Sequence, residues 1–344
     1  MSISQFDLLK VRNFLPLFIT QFLTAFNDNF FKNALAIMIT YKMVHNEALE
    51  AQILITVAAG LFILPFLLFS SLAGQISDKF EKSLITRVNK IAEIFITIVG
   101  YFGFLTNNIT LLMIVLFLLG TQSAFFGPIK YSILPQALPQ SKLLAGNALI
   151  ETGTFLAILI GTILGGTLIT VNYGTEIVAI TAVIIALLGF FSSYYIPKAR
   201  SGSPNLKIRY NLYSETVNII SYAKKDRIVF LAILGISWFW LIGASFISQF
   251  PSFVNDIIGA QSSVVILFLA TFSIGIAVGS LMCNKLLKGK IHATYVPLAA
   301  IAISLFIFDL VNISKNIYHT NVILITVNEF LASYKGIRIT IDLF

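Results

Sequence analysis

The chain has 344 residues, of which 57% are hydrophobic and 11% charged, with a mean hydropathy of +0.90. A soluble domain carries about 25% charged residues, so this composition excludes an ordinary water-soluble enzyme, a disordered tail and a nucleic-acid binder. The net charge of +8 then belongs to loops that face anionic lipid headgroups.

A helix needs roughly 20 mostly apolar residues to cross a hydrocarbon core of about 30 Å. Nine such windows follow in chain order, near 14–41, 51–73, 85–104, 109–134, 144–171, 176–196, 228–250, 263–284 and 294–311. The first carries Asn27, Asp28, Asn29 and Lys32 and has no small-residue cleavage site, so it is no cleavable signal. Residues 197–227, PKARSGSPNLKIRYNLYSETVNIISYAKKDR, form the one long polar insertion and contain an amphipathic stretch. They predict a cytoplasmic linker between a six-helix membrane half, 1–196, and a second half, 228–344. Beyond the ninth window, 313–336 holds a short apolar run interrupted by Asn328 and Glu329, and GIRITIDLF opens another helix that stops at Phe344. That pattern reads as a second half cut short in its tenth helix, or as one imperfect tenth span over 322–344.

Lys and Arg fix the orientation. With the N-terminus inside, Lys10, Arg12, Lys79, Lys82, Arg87, Lys90, Lys142, seven linker cations, Lys285, Lys288 and Lys290 give 17 cytoplasmic charges, against Lys42 and Lys315 outside.

Ionisable groups inside spans are costly and rare, so each is a functional candidate. Asp28 lies about 21 Å along the first span, with Lys32 one turn on as its nearest possible partner. It is read either as a locked ion pair or as a gating carboxylate in a central cavity, and the flanking Asn27 and Asn29 favour the second. Glu93 lies about 12 Å inside the third span and Glu151 about 10 Å inside the fifth. Lys130, near the inner end of the fourth, matches Glu151 in depth better than it matches Asp28, which predicts a Lys130–Glu151 pair or a snorkelling lysine. Asp309 reads as interfacial. Gly161 and Gly165, then Gly275 and Gly279, make small-xxx-small faces for close helix packing. Cys283, the single cysteine, makes neither an internal disulfide nor a cysteine zinc site.

Two halves are also signalled by a weak repeat: Gly74, Asp78 and Lys79 of GQISDKFEK recur as Ser280, Asn284 and Lys285 of SLMCNKLLK, 206 residues later. Asp78 is placed to cap a neighbouring helix while the cations hold the inner face shut.

The Gly-x-x-x-Asp-Lys turn resembles the major facilitator superfamily, here an all-α polytopic membrane fold with a complete six-helix N-half and an incomplete C-half. The strings QFLTAFNDNFFKNAL, KIAEI, FFGPIKYSILPQ, GNALIETGTFLAILIGTILGG and ILGISWFWLIGASFISQFP resemble its lysophospholipid transporter branch. They are most similar to transporter portions fused to acyltransferase and acyl-carrier-protein synthetase domains. The resemblance implies a transporter, not an enzyme, that flips lysophosphatidylethanolamine-type lipid across the bacterial inner membrane for reacylation, with an acyltransferase system as partner. It maps the branch's acidic span-1 residue onto Asp28, and its Pro-x-Lys-Tyr motif onto Pro128, Lys130 and Tyr131, as gating or headgroup contacts. The rival readings are a facilitator for another small solute and a non-transporting membrane fragment that anchors a phospholipid acyltransferase system. No serine elbow, phosphate loop or metal motif is present, and His45, His292 and His319 lie outside the spans, so neither catalysis, metal nor cofactor is expected.

Overall fold

The computed structural model describes residues 5–39, 48–288, 292–315 and 324–344; Lys42, His45, Lys290 and His319 lie outside them. Twelve α-helices are described, and no strand accompanies them among these residues beyond an isolated bridge between Ala260 and Ile325. Among the described residues eight helices are long and apolar enough to cross a membrane. The first expected span is not among the eight. It forms a helix, α1 (Leu15–Met38), of sufficient length at 24 residues. Its Gln21, Asn27, Asp28, Asn29, Lys32 and Asn33 dilute its hydropathy, and it buries most of them against neighbouring helices.

Two compact units are resolved, Met1–Ile220 with Cys283–Gly289, and Ser221–Met282 with Lys290–Phe344. In the first, α1 packs on α5 (Leu143–Leu168) and α6 (Gly174–Tyr194). The helix α2 (Ala48–Lys79) packs on α4 (Ile109–Ala137), and α3 (Lys82–Leu105) packs on α4 and α6. The α1–α5 contact is a close approach of backbones. A Cβ at Gly161 would stand 2.5 Å from the Phe26 carbonyl oxygen, and one at Gly165 2.2 Å from that of Phe30. The predicted small-residue face on α5 is therefore in use, because only glycine leaves room for the α1 backbone.

The third helix shows what solvent this unit is built for. Its covered face is polar, with Lys82, Thr86, Asn89, Lys90, Glu93 and Thr97 buried at three- and four-residue spacing. Its outer face carries Val88, Phe95 and Phe102, which are 57%, 65% and 56% exposed. This is the reverse of a water-soluble amphipathic helix, and it is stable only where the outside is apolar. Lys90, counted from sequence as a cytoplasmic charge at the inner end of the third span, is instead fully buried, which leaves sixteen cations on the predicted inner side.

The basic end of this unit is closed by the start of the linker. Glu81 caps α3, accepting from the Ser83 and Leu84 N–H groups at 3.2 Å, and takes the Ala199 N–H at 3.0 Å. The Lys82 ammonium donates to the Arg200 carbonyl at 2.8 Å. Two glutamines pair with the linker backbone as strand residues would. Gln136 accepts from Arg200 N–H at 2.7 Å and donates to its carbonyl at 3.0 Å. Gln75 does the same with Arg209, at 2.8 and 3.3 Å. Asp78, expected as a helix cap, contributes its carbonyl to the Ser203 N–H at 2.8 Å, while the α3 cap belongs to Glu81 because that residue directly precedes the helix.

In the second unit, α8 (Arg227–Ser252) is capped by Asp226 and runs into a π-turn over Phe253–Ile258. It is followed by α9 (Ser262–Leu286), whose residues through Met282 belong to this unit, and by α10 (Val296–Lys315). Residues beyond 326 form two short helices, α11 (Val327–Ala332) and α12 (Tyr334–Leu343), broken at Ser333, whose hydroxyl accepts from the Gly336 N–H. They are not one continuous span. Asp309, predicted as interfacial, is paired with Arg338 of α12 through both carboxylate oxygens. The second small-residue face is only half used: Gly275 meets the Phe344 carbonyl, whereas a Cβ at Gly279 would meet nothing within 4 Å.

Candidate functional site

The polar residues of α1, α3 and α4 converge in the interior of the first unit. On α3, Lys90 and Glu93 stand one turn apart as an ion pair with both side chains 0% exposed. Glu93 also accepts from the Asn27 amide at 3.0 Å and the Gln122 amide at 3.1 Å. Lys90 donates in addition to the Thr24 hydroxyl and lies 5.6 Å from the Phe126 ring centroid. A buried ion pair loses several kcal/mol of hydration per ion, which extra hydrogen bonds must offset. Here three donors converge on Glu93, one from each of α1, α3 and α4.

Asp28, the neighbour of Asn27, is held differently. Its Oδ2 accepts from the Ser123 hydroxyl of α4, and its Oδ1 is buried with no hydrogen-bond partner among the described residues, Asp28 being 4% exposed. The Asp28–Lys32 ion pair, the less favoured of the two readings, does not close. The Lys32 ammonium donates to Asn29 Oδ1 at 2.9 Å and sits 5.3 Å from the Phe62 ring centroid on α2, so Lys32 acts on Asp28 only at longer range. Asn29 also donates to the Ala25 carbonyl at 2.8 Å. Asn27 Oδ1 is a second buried acceptor without a partner. An unsatisfied buried acceptor costs about 1–3 kcal/mol, so two on consecutive residues of α1 are a cost that the packing of this unit carries.

A second cluster joins α4 to α5. The Tyr131 hydroxyl donates to Glu151 Oε1, and the Lys130 ammonium lies 4.8 Å from the Tyr131 ring centroid. Lys130 and Glu151 make no ion pair within 4 Å among the described residues; the predicted partnership runs through Tyr131, whose ring stands beside the cation and whose hydroxyl takes the carboxylate. Gly74, Asp78 and Lys79 belong to neither cluster. They lie at the basic end near the linker, with Lys79 over the Phe80 ring.

The structure therefore brings Asn27, Asp28 and Glu93 together and sets Lys130 with Glu151 around Tyr131. Sequence reading missed Lys90, Thr24, Gln122 and Ser123. The three-residue spacing of Lys90 to Glu93 within a polar stripe at helical period was the available signal for Lys90. Nothing in the sequence singles out Gln122 or Ser123 before α4 is laid against α1.

The Major Facilitator Superfamily pattern matches residues 17–332. The chain belongs to this superfamily. Curated relatives include the lysophospholipid transporter LplT of Serratia proteamaculans (strain 568), 26% identical over 274 residues, and that of Escherichia coli O1:K1 / APEC, 28% identical over 279 residues. Each alignment covers 78% of this chain, and the chain spans 65% and 64% of the length of these relatives. Among solved structures, the human organic anion transporter MFSD10 (TETRAN) superposes with a TM-score of 0.68 at 12% identity, covering 96% of this chain and 83% of that one. That likeness carries the superfamily fold onto this multi-pass chain.

Proposed function

We propose that this chain is a lysophospholipid transporter of the bacterial inner membrane, with its N-terminus in the cytoplasm. It moves lysophosphatidylethanolamine-type lipid from the outer to the inner leaflet, where an acyltransferase system restores the second acyl chain. The observation that carries the reading is Asp28: a carboxylate in the interior of a membrane bundle, with one oxygen buried and unpartnered.

A zwitterionic lysolipid headgroup presents an ammonium and a phosphate. When the bundle opens, the ammonium meets Asp28 Oδ1 and Asn27 Oδ1, the two acceptors that lack donors. Lys130 takes the phosphate, and the Tyr131 hydroxyl holds Glu151 beside it. Glu93 is already held by Lys90, Asn27 and Gln122 and keeps α1, α3 and α4 in register. The acyl chain stays against apolar side chains. The names of the relatives support the lipid class, and the presence in one unit of a partly unpartnered carboxylate and a lysine supplies the two charges that a zwitterionic headgroup calls for.

The test is uptake of radiolabelled lysophosphatidylethanolamine by spheroplasts of a host lacking its own lysolipid transporter. Expression of this chain raises conversion of the label to diacyl lipid above the empty-vector level. Membrane-inserted chain with no gain in uptake overturns the proposal.

A further inference from the structure

The linker contains one helix, α7 (Leu212–Ala223), none of whose residues is buried. Asn211 starts it, accepting from the Ser214 N–H at 3.0 Å. At 100° per residue, Leu212, Tyr213, Thr216, Val217, Ile219, Ile220 and Ala223 fall in one arc, with Ser214, Glu215, Asn218 and Ser221 opposite. Within the apolar arc Tyr213 is 82% exposed and Val217, Ile219 and Ile220 between 43% and 49%.

The linker around α7 carries seven cations against two acids, and one of those acids is ion-paired. The two linker acids are both occupied: Glu215 by Arg209 at 3.3 Å and by the Asn218 amide at 3.0 Å, and Asp226 by the Ile228 and Val229 N–H groups it caps. Lys198, Arg200, Lys207, Lys224 and Lys225 remain as uncompensated cations in the sequence on either side. The depth of α7 is also set. Gln75, four residues before the end of α2, holds both backbone groups of Arg209, three residues before Leu212. The helix therefore begins level with the end of a membrane span, where headgroups lie.

We infer that α7 is an interfacial helix whose apolar arc docks into an anionic phospholipid surface, with the flanking lysines on the lipid phosphates. A second copy of the same helix would bring like charges together, whereas an anionic leaflet complements them and receives the apolar face at the same depth.

The test uses the full chain with Cys283→Ala and a single cysteine at Val217→Cys (apolar arc) or Asn218→Cys (polar arc), labelled with bimane. A second pair, Ile220→Cys and Ser214→Cys, guards against a local effect of either substitution. Each protein is reconstituted in phosphatidylcholine vesicles with or without phosphatidylglycerol, using lipids brominated in their acyl chains as quenchers. With phosphatidylglycerol, labels at 217 and 220 are expected to be quenched at least about twofold more than those at 218 and 214, with blue-shifted emission. Changing Lys207, Lys224 and Lys225 to Gln lowers the docked fraction, about fivefold in the docked-to-free ratio per charge removed, and salt of about 1 M does the same. Equal quenching of the two arcs overturns the inference. So does quenching that ignores phosphatidylglycerol, salt and the Gln changes, or that grows only with protein density, which would mean self-association.

Discussion

Lys90 and Glu93 form an ion pair from which water is wholly excluded, and Glu93 is the point where α1, α3 and α4 meet. One helical position away from Asn27, Asp28 has a hydroxyl as its only donor among the described residues. Two carboxylates in one interior are thus held differently, one by donors from three helices and one with an oxygen left without a partner among the described residues.

The holding role predicts an asymmetry in stability. Lys90→Met leaves the Glu93 charge buried and unpaired and is expected to cost about 3–5 kcal/mol, whereas adding Glu93→Met recovers part of that loss but not all, because the Asn27 and Gln122 amides then lose their acceptor. Thermal unfolding of the three proteins in detergent checks this. Equal losses for the single and double changes would contradict it.

Around Lys130, coupling is expected to run through Tyr131. A double-mutant cycle on Tyr131→Phe and Glu151→Gln should show an interaction energy of about 0.5–3 kcal/mol in unfolding. A Lys130/Glu151 charge swap should show less, since no direct pair joins those two.

The close approach of α1 and α5 makes Gly165 intolerant. Gly165→Ala places a Cβ against the Phe30 carbonyl and is expected to cost about 1–3 kcal/mol. Gly279→Ala, with open space around it, should stay within about 0.5 kcal/mol of the parent. Unfolding temperatures that fail to separate the two would contradict the packing.

Glu81 gives the linker strap a pH dependence. Partial burial pushes its carboxyl up, but the Ser83 hydroxyl and the Ala199, Ser83 and Leu84 N–H groups outweigh this and hold it below its ordinary 4.5. A carboxyl depressed in the folded state adds stability that is complete above its unfolded value and is lost as pH falls through its folded one. A spin label at Ser201→Cys, with Cys283→Ala, should be immobile at neutral pH and gain mobility below about pH 4. Glu81→Gln should mobilise it already at neutral pH. A label indifferent to both would contradict the clamp.

Hydropathy made α2 to α6 and α8 to α10 legible, because each is an apolar run of spanning length. Asp28 and Glu93 stood out for the same reason, as charges where charges are expensive. Lys90 did not, because it lies eight residues into α3, beside a basic loop, and one-dimensional counting assigned it there. The pairing of Gln75 with Arg209 and of Gln136 with Arg200 was equally hidden: an amide side chain that mimics a strand edge leaves no periodicity. Lys130 and Glu151 were matched in depth correctly, but depth along two helices does not reveal that a tyrosine stands between them.

The most direct measurement is flipping by the purified chain in proteoliposomes carrying fluorescent lysophosphatidylethanolamine, read by how fast outer-leaflet label becomes protected from an impermeant reductant. The parent chain is expected to exceed empty vesicles, and Asp28→Asn to be folded but slower by about tenfold to a hundredfold, the worth of a hydrogen bond to a charged group. Flipping by Asp28→Asn at the parent rate, or none by a folded parent chain, would contradict the central claim that this carboxylate receives a lysolipid headgroup.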